Sequence, residues 1–221
     1  MRIGVLGTGS VGETLGTALV ARGHEVRMGA RSTPHERADA WAASAGPSAS
    51  AGTFADAAAF AELVINCTAG VHSLDALHAA GAESLAGKVL VDVANPLDFS
   101  GGFPPRLSVG GDDSLAEQIQ RAFPDARVVK ALNTVTASVM VDPGSLAEPT
   151  DLFVAGDDDE AKREVFALLD ELGWRPERVR DLGGITAARV LEGYLMLWLA
   201  LMGTLGSAAF NVRVVTADGH T

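Results

Sequence analysis

The residues best placed to do chemistry lie at the start of the chain. Gly7-Thr8-Gly9-Ser10-Val11-Gly12 ends an apolar run and opens a helical pattern. With 25 glycines in the chain, the G-x-G-x-x-G spacing alone means little; its place between a strand and a helix gives it meaning. Gly7 permits a tight turn, Gly9 lets a diphosphate approach the backbone, and Gly12 lets helix and strand pack closely. The unpaired N–H groups of the first helical turn then face the anion. A plain strand-to-helix turn needs no third glycine, so the pattern implies a dinucleotide loop.

The residues after the second strand refine that reading. An acid about 20 residues beyond the loop holds the ribose hydroxyls of NAD. Here the segment reads Met28-Gly29-Ala30-Arg31-Ser32-Thr33, and no acid stands between Glu25 and Glu36. Arg31 offers a planar donor fork to a 2′-phosphate, with the Ser32 and Thr33 hydroxyls beside it. Arg37, further along, either adds a second positive charge or is a solvated helix residue. The expected cofactor is NADP(H).

In an open α/β sheet the reacting end lies beyond the carboxyl ends of the strands. The segments expected there are Cys67-Thr68-Ala69-Gly70, Ala94-Asn95-Pro96-Leu97 and Ala131-Leu132-Asn133-Thr134-Val135. They are small, amide-bearing or apolar, and poor in titratable groups. Direct hydride transfer needs little more than two flat rings held at the right distance with water excluded. A ketone reductase would also need a proton donor. Lysines are few (Lys88, Lys130, Lys162), and Tyr194 is the only tyrosine. Lys130 reads either as that donor or as a lysine at a strand edge. Cys67 reads as a small buried hydrophobe before a reactive thiol, within reach of the cofactor. Asp157-Asp158-Asp159 precedes an amphipathic helix and reads as a cap. His24, His35, His72, His78 and His220 are scattered, and no spacing suggests a metal site.

The elements that must position these residues alternate. Strands are expected at Arg2 to Leu6, Glu25 to Met28, Ser48 to Thr53, Leu63 to Cys67, Val89 to Val93, Arg127 to Leu132, Leu152 to Ala155 and Arg178 to Leu182. Helices are expected at Ser10 to Arg22, Ala38 to Ser44 with Pro34 opening it, Ala55 to Ala61, His72 to Ala80, Ser114 to Phe123, Asp159 to Leu172 and Thr186 to Leu205. This βαβ rhythm implies an α/β fold, a Rossmann-type doubly wound parallel sheet with a small C-terminal helical layer. The expected division is 1–180 for nucleotide binding and 181–221 for the helical part. Tyr194 to Phe210 is the longest apolar stretch, and within it the run from Leu195 to Met202 is apolar on every face, so the helix is expected to be buried all round, by its own domain or by a second subunit. At seventeen residues, broken by Gly203 and Gly206, the stretch falls short of the roughly 20 a membrane span needs.

A net charge of −11 argues against nucleic-acid binding, because no basic excess exists to neutralise phosphates. A single cysteine excludes an internal disulfide and suits a reducing cytoplasm. Met1 to Leu6 run directly into a strand, so no signal peptide is expected.

Taken in order, the glycine loop, Gly29-Ala30-Arg31, Val129-Lys130-Ala131-Leu132-Asn133-Thr134-Val135, Val154-Ala155-Gly156-Asp157-Asp158 and Ala188-Arg189-Val190-Leu191-Glu192 resemble one family. It is the NADPH-dependent reductases of the deazaflavin coenzyme F420, with the cytosolic domain of the STEAP metalloreductases as a relative. The resemblance implies direct hydride exchange between nicotinamide and deazaflavin, commonly in a homodimer. It implies that Thr8, Ser10, Val11 and Arg31 hold NADP. It also implies a ring pocket of Thr68, Ala69, Asn133, Thr134 and Val135, with Gly183 and Gly184 near the second ring. The family carries a histidine where this chain has Asn133, and a serine where it has Ala30. The acceptor therefore stays open between deazaflavin and a flavin, a quinone or a small carbonyl or imine compound. A non-enzymatic NADP-sensing module and, by analogy with the metalloreductases, a membrane-linked reductase using the Tyr194 to Phe210 helix are the remaining alternatives.

Overall fold

The structure, a computed structural model, describes residues 1–217. In chain order the elements are β1 (Arg2–Leu6), α1 (Ser10–Ala21), β2 (Glu25–Ala30), α2 (Glu36–Ala45), β3 (Ala49–Thr53), α3 (Phe54–Phe60) and β4 (Leu63–Asn66). Then come α4 (Ser73–Ala80), α5 (Ala82–Leu85), β5 (Val89–Asp92), β6 (Leu97–Asp98), β7 (Arg106–Leu107), α6 (Leu115–Ala122) and β8 (Arg127–Lys130). The remainder is α7 (Ala137–Val141), β9 (Leu152–Val154), α8 (Asp159–Glu171), β10 (Val179–Asp181) and α9 (Ala188–Leu205).

Six strands form one parallel sheet in the order β3-β2-β1-β4-β5-β8, the doubly wound Rossmann arrangement. Neighbouring residues of each inner strand feed opposite faces. Ile3, Val5, Ile65 and Val91 join the core under α1 and α8, while Leu6, Val64 and Leu90 join the core under α3, α4 and α6. Burial on both faces is why these strands read as apolar runs without alternation. The order reverses between β1 and β4, whose ends are paired Leu6 to Asn66. That reversal puts the glycine loop and the Cys67 loop side by side at one end of the sheet.

Several ends differ from expectation. The helix after β2 begins at Glu36 with the His35 ring capping Ala38 N–H, so Pro34 precedes the helix rather than opening it. Strand β8 stops at Lys130 because Leu132 takes a left-handed backbone (φ 63°), turning the chain across the sheet end. The aspartate run behaves as a cap. Asp158 accepts from Ala161 N–H and binds Arg127, while Asp157 accepts from Ile185 N–H. His220 lies outside the described residues.

Helix α9 is where burial departs most from expectation. By length and composition the stretch Ile185–Leu205 would suit a membrane crossing, and 28% of an 18-residue part of it is buried. Ala188, Leu191, Glu192 and Leu195 pack inward, whereas Val190, Leu197 and Leu205 are exposed. The chain's own domain therefore covers one face of a helix that is apolar all round.

Candidate active site

The glycine loop is held by close backbone approach. Gly7 has φ +118°, and a Cβ there would sit 2.7 Å from the Cys67 carbonyl oxygen. A Cβ on Gly12 would lie 2.2 Å from the Gly7 carbonyl oxygen, so only glycine lets α1 start this close to β1. Gly9 is different: nothing lies within 4 Å of where its Cβ would be, and it caps α1 without any side-chain bond. The first turn of α1 thus presents unpaired N–H groups toward open space. A diphosphate fits that cradle.

Two chambers flank the loop. The first, of about 610 Å³, is lined by Gly7, Thr8, Gly9, Arg31 and Ser32, with His35 and His72 adding polar atoms. Arg31 has no ion-pair or hydrogen-bond partner among the described residues, so its guanidinium stays available for a phosphate. Arg37 does not share that position. It donates to Glu13 Oε1 at 2.9 and 3.1 Å, across the gap between α2 and α1, and it lines neither chamber. The competing carboxylate, 24 residues earlier in the chain, is what draws it away.

The second chamber, of about 510 Å³, lies across the sheet end. Ser10, Val11, Asn95, Asn133 and Val135 line it, with Phe99 from the β6–β7 hairpin and Leu195, Trp198 and Leu199 from α9. Cys67, Thr68 and Ala69 are common to both chambers, so the two open on either side of one loop. Asn133 and Asn95 lock each other: Asn133 Nδ2 donates to Asn95 Oδ1 at 2.9 Å, and Asn95 Nδ2 donates to the Asn133 carbonyl at 2.8 Å. Thr134 is buried and does not line the chamber.

Gly183 and Gly184 stand elsewhere. The Gly183 carbonyl accepts from Gly156 N–H, and Gly184 packs against Asp157, so both line the turn after β10 rather than either chamber. The α9 residues Leu195, Trp198 and Leu199 occupy the wall where these glycines were expected. Their signal in the sequence is the i, i+3, i+4 spacing of one helix face, which cannot by itself say what the face meets.

Few groups in the second chamber can move a proton. Its ionisable side chains are Cys67 and Asp98 alone. Burial, aided by the nearby Asp92 charge, pushes the Cys67 thiol far above its ordinary range, so it stays a thiol. Asp98 is pushed down to about 2 by hydrogen bonds from Ser100 and by Arg106, so it stays a carboxylate. Lys130 faces away from the chamber, wholly enclosed among carboxylates. The Tyr194 hydroxyl is buried without a partner among the described residues, and Tyr194 lines neither chamber. Among the described residues, no cluster of three or more metal-binding side chains occurs.

Comparison with known proteins agrees with this arrangement. The crystal structure of a candidate F420-dependent NADP reductase from Arthrobacter sp. FB24 is 51% identical, with a TM-score of 0.92 over 98% of this chain and all of that one. The F420-dependent NADP reductase of Methanocaldococcus jannaschii is 29% identical over 62% of this chain and 60% of its own length. The metalloreductase STEAP3 of Rattus norvegicus is 30% identical over 86% of this chain, which spans 36% of that longer protein. The chain thus covers less than two thirds of each of these last two relatives. Residues 2–96, the glycine loop through Asn95, match the family described as NADP oxidoreductase, coenzyme F420-dependent, and the chain belongs to that family.

Proposed function

We propose that this chain exchanges a hydride directly between NADP(H) and a deazaflavin coenzyme of the F420 type. The observation that carries the reading is the second chamber. It is large, mostly apolar and walled by the Trp198 ring, and it holds no side chain able to give or take a proton near neutral pH. Ring-to-ring hydride transfer asks only for orientation and the exclusion of water.

In this reading Arg31 and Ser32 hold the 2′-phosphate, and the first turn of α1 holds the diphosphate. Thr68, Ala69 and the Asn95–Asn133 pair set the plane of the nicotinamide. The bound nicotinamide supplies or receives the hydride. Val11, Leu195, Trp198 and Leu199 press the acceptor ring toward it and keep water out. A carbonyl substrate is disfavoured because its developing alkoxide would find no acid. A protein working with such soluble carriers belongs in a reducing cytoplasm, as the lone cysteine suggests.

The test is anaerobic mixing of the purified protein with NADP+ and reduced deazaflavin. Return of the oxidised deazaflavin's visible band, dependent on protein and absent with NAD+, is the expected result. No return, in a sample shown to bind NADPH, would move the assignment to another acceptor or to a sensing role.

A further inference from the structure

Buried charge is concentrated behind the wall between the two chambers. Lys130 ends β8 with no exposed surface. Its ammonium donates to Asp92 Oδ2 at 2.8 Å, to Glu192 Oε1 at 2.9 Å and to the Ala94 carbonyl. Glu192, on α9, also accepts from the N–H groups of Leu115 and Ala116 at the start of α6, at 2.8 and 3.1 Å. On the other side, Asp92 Oδ1 accepts from Asn66 Nδ2 at 2.8 Å. Asn66 Oδ1 in turn accepts the Thr68 hydroxyl at 2.7 Å, and Ser73 Oγ closes the group at 2.8 Å from that hydroxyl. An unbroken line of buried bonds therefore runs from α9, across the ends of β8, β5 and β4, to the loop common to both chambers.

Stability alone does not explain this line. Three buried charges are costly to desolvate, and a well-packed apolar trio of the same volume would serve the fold as well or better. What an ionic line adds is fixed spacing, because each bond has one length and one direction. Leu195 and Leu199 follow Glu192 by three and seven residues on the same face of α9, with Trp198 beside them. Whatever fixes Glu192 fixes that wall.

Resting on the function proposed above, we infer that Glu192 and Lys130 are positioning residues, which set the acceptor wall of α9 at a fixed distance from the Thr68 loop. Neither lines a chamber; both act through the residues they hold. Glu192→Gln keeps the shape, but its N–H₂ group must face either the Lys130 ammonium or the Leu115 N–H of α6, and a bond to Lys130 that survives loses its negative charge, so the line is weakened at its α9 end.

The comparison variant is Arg189→Ala. It removes a second tie between α9 and α6, the bond from Arg189 to Glu117 at 2.6 Å, which has no link to Thr68. Trp198 is the one partly exposed tryptophan, since Trp41 and Trp174 are buried, so acrylamide quenching of the ligand-free protein reports the place of the wall. Glu192→Gln is expected to raise quenching about twofold and the acceptor KM about tenfold, with NADPH affinity changed less than about threefold. Arg189→Ala is expected to lower the melting temperature without moving quenching or KM. If Glu192→Gln lowers the melting temperature but leaves quenching as in the wild type, the inference is overturned, whatever the acceptor proves to be. A quenching shift without turnover of deazaflavin would uphold the positioning and overturn only the choice of acceptor. Should Glu192→Gln fail to fold, Glu192→Asp, which keeps the charge and withdraws it by one methylene, is read in the same way.

Discussion

Arg31 and Arg37 show how two residues of one type, six apart, come to different ends. Arg31 lines the first chamber with no partner among the described residues, whereas Arg37 is bound to Glu13. Removing a charge-assisted contact costs about 1.5–3 kcal/mol, so Arg31→Ala is expected to weaken NADPH binding roughly 10- to 100-fold. NADH binding, which makes no use of that fork, is expected to stay within about threefold, as titration of nicotinamide fluorescence would show. Arg37→Ala is expected to change NADPH affinity by less than about threefold, because an exposed pair contributes under about 1 kcal/mol. An equal loss for both nucleotides on Arg31→Ala would refute the 2′-phosphate assignment. The glycines divide in the same way. Gly12→Ala drives a Cβ into the Gly7 carbonyl oxygen and is expected to destabilise the fold by about 1–3 kcal/mol in a denaturant titration. Gly9→Ala meets no protein atom, so its melting temperature should hold while NADPH affinity falls.

At the level of elements, the strands were legible because burial on both faces leaves nothing but apolar runs, and the helices because glycines and acidic caps mark their ends. The glycine loop and Arg31 were legible because their roles depend on neighbours in sequence. Lys130, Arg37 and Gly183 were not, because each is decided by a group far along the chain: Asp92 and Glu192 for the first, Glu13 for the second, Gly156 for the third. Asp92 did leave a trace, as a lone acid closing the apolar run Val89-Leu90-Val91. Helix α9 shows the limit of composition. Its residues call for cover on every side, yet the described residues leave Val190, Leu197 and Leu205 exposed, a face that a partner could hide. If that partner is a second copy, Leu197→Glu, on a side chain 53% exposed, is expected to shift sedimentation from dimer to monomer with the far-ultraviolet helix signal kept. A wild-type monomer at micromolar concentration would exclude the homodimer. Beyond α9 the chain folds back, where Phe210 stacks on Trp198 at 5.3 Å and Asn211 Nδ2 binds the Asp151 carbonyl, so the tail braces the same wall.

Across the whole molecule, the carboxylates set the response to acid. Hydrogen bonds and arginines hold Asp98 and Asp113 at about 2, and Arg127 with the α8 N–H groups holds Asp158 lower still. Folded values below the unfolded ones mean that this stability is fully present above about pH 5. It is lost as pH falls from there toward about 2, so the melting temperature should decline steadily over that window. Salt should flatten the decline, since these pairs are exposed. A flat profile from pH 6 to pH 3 would deny these pairs any weight. The two chambers, finally, share Cys67, Thr68 and Ala69, so in the proposed reading the nicotinamide reaches past that loop into the chamber that takes the acceptor. No residue in the second chamber can store the electrons between visits. Both substrates must then be present together, in a ternary complex. Double-reciprocal rate plots are expected to intersect, and parallel lines would mean that some part of the protein carries the reducing equivalents alone.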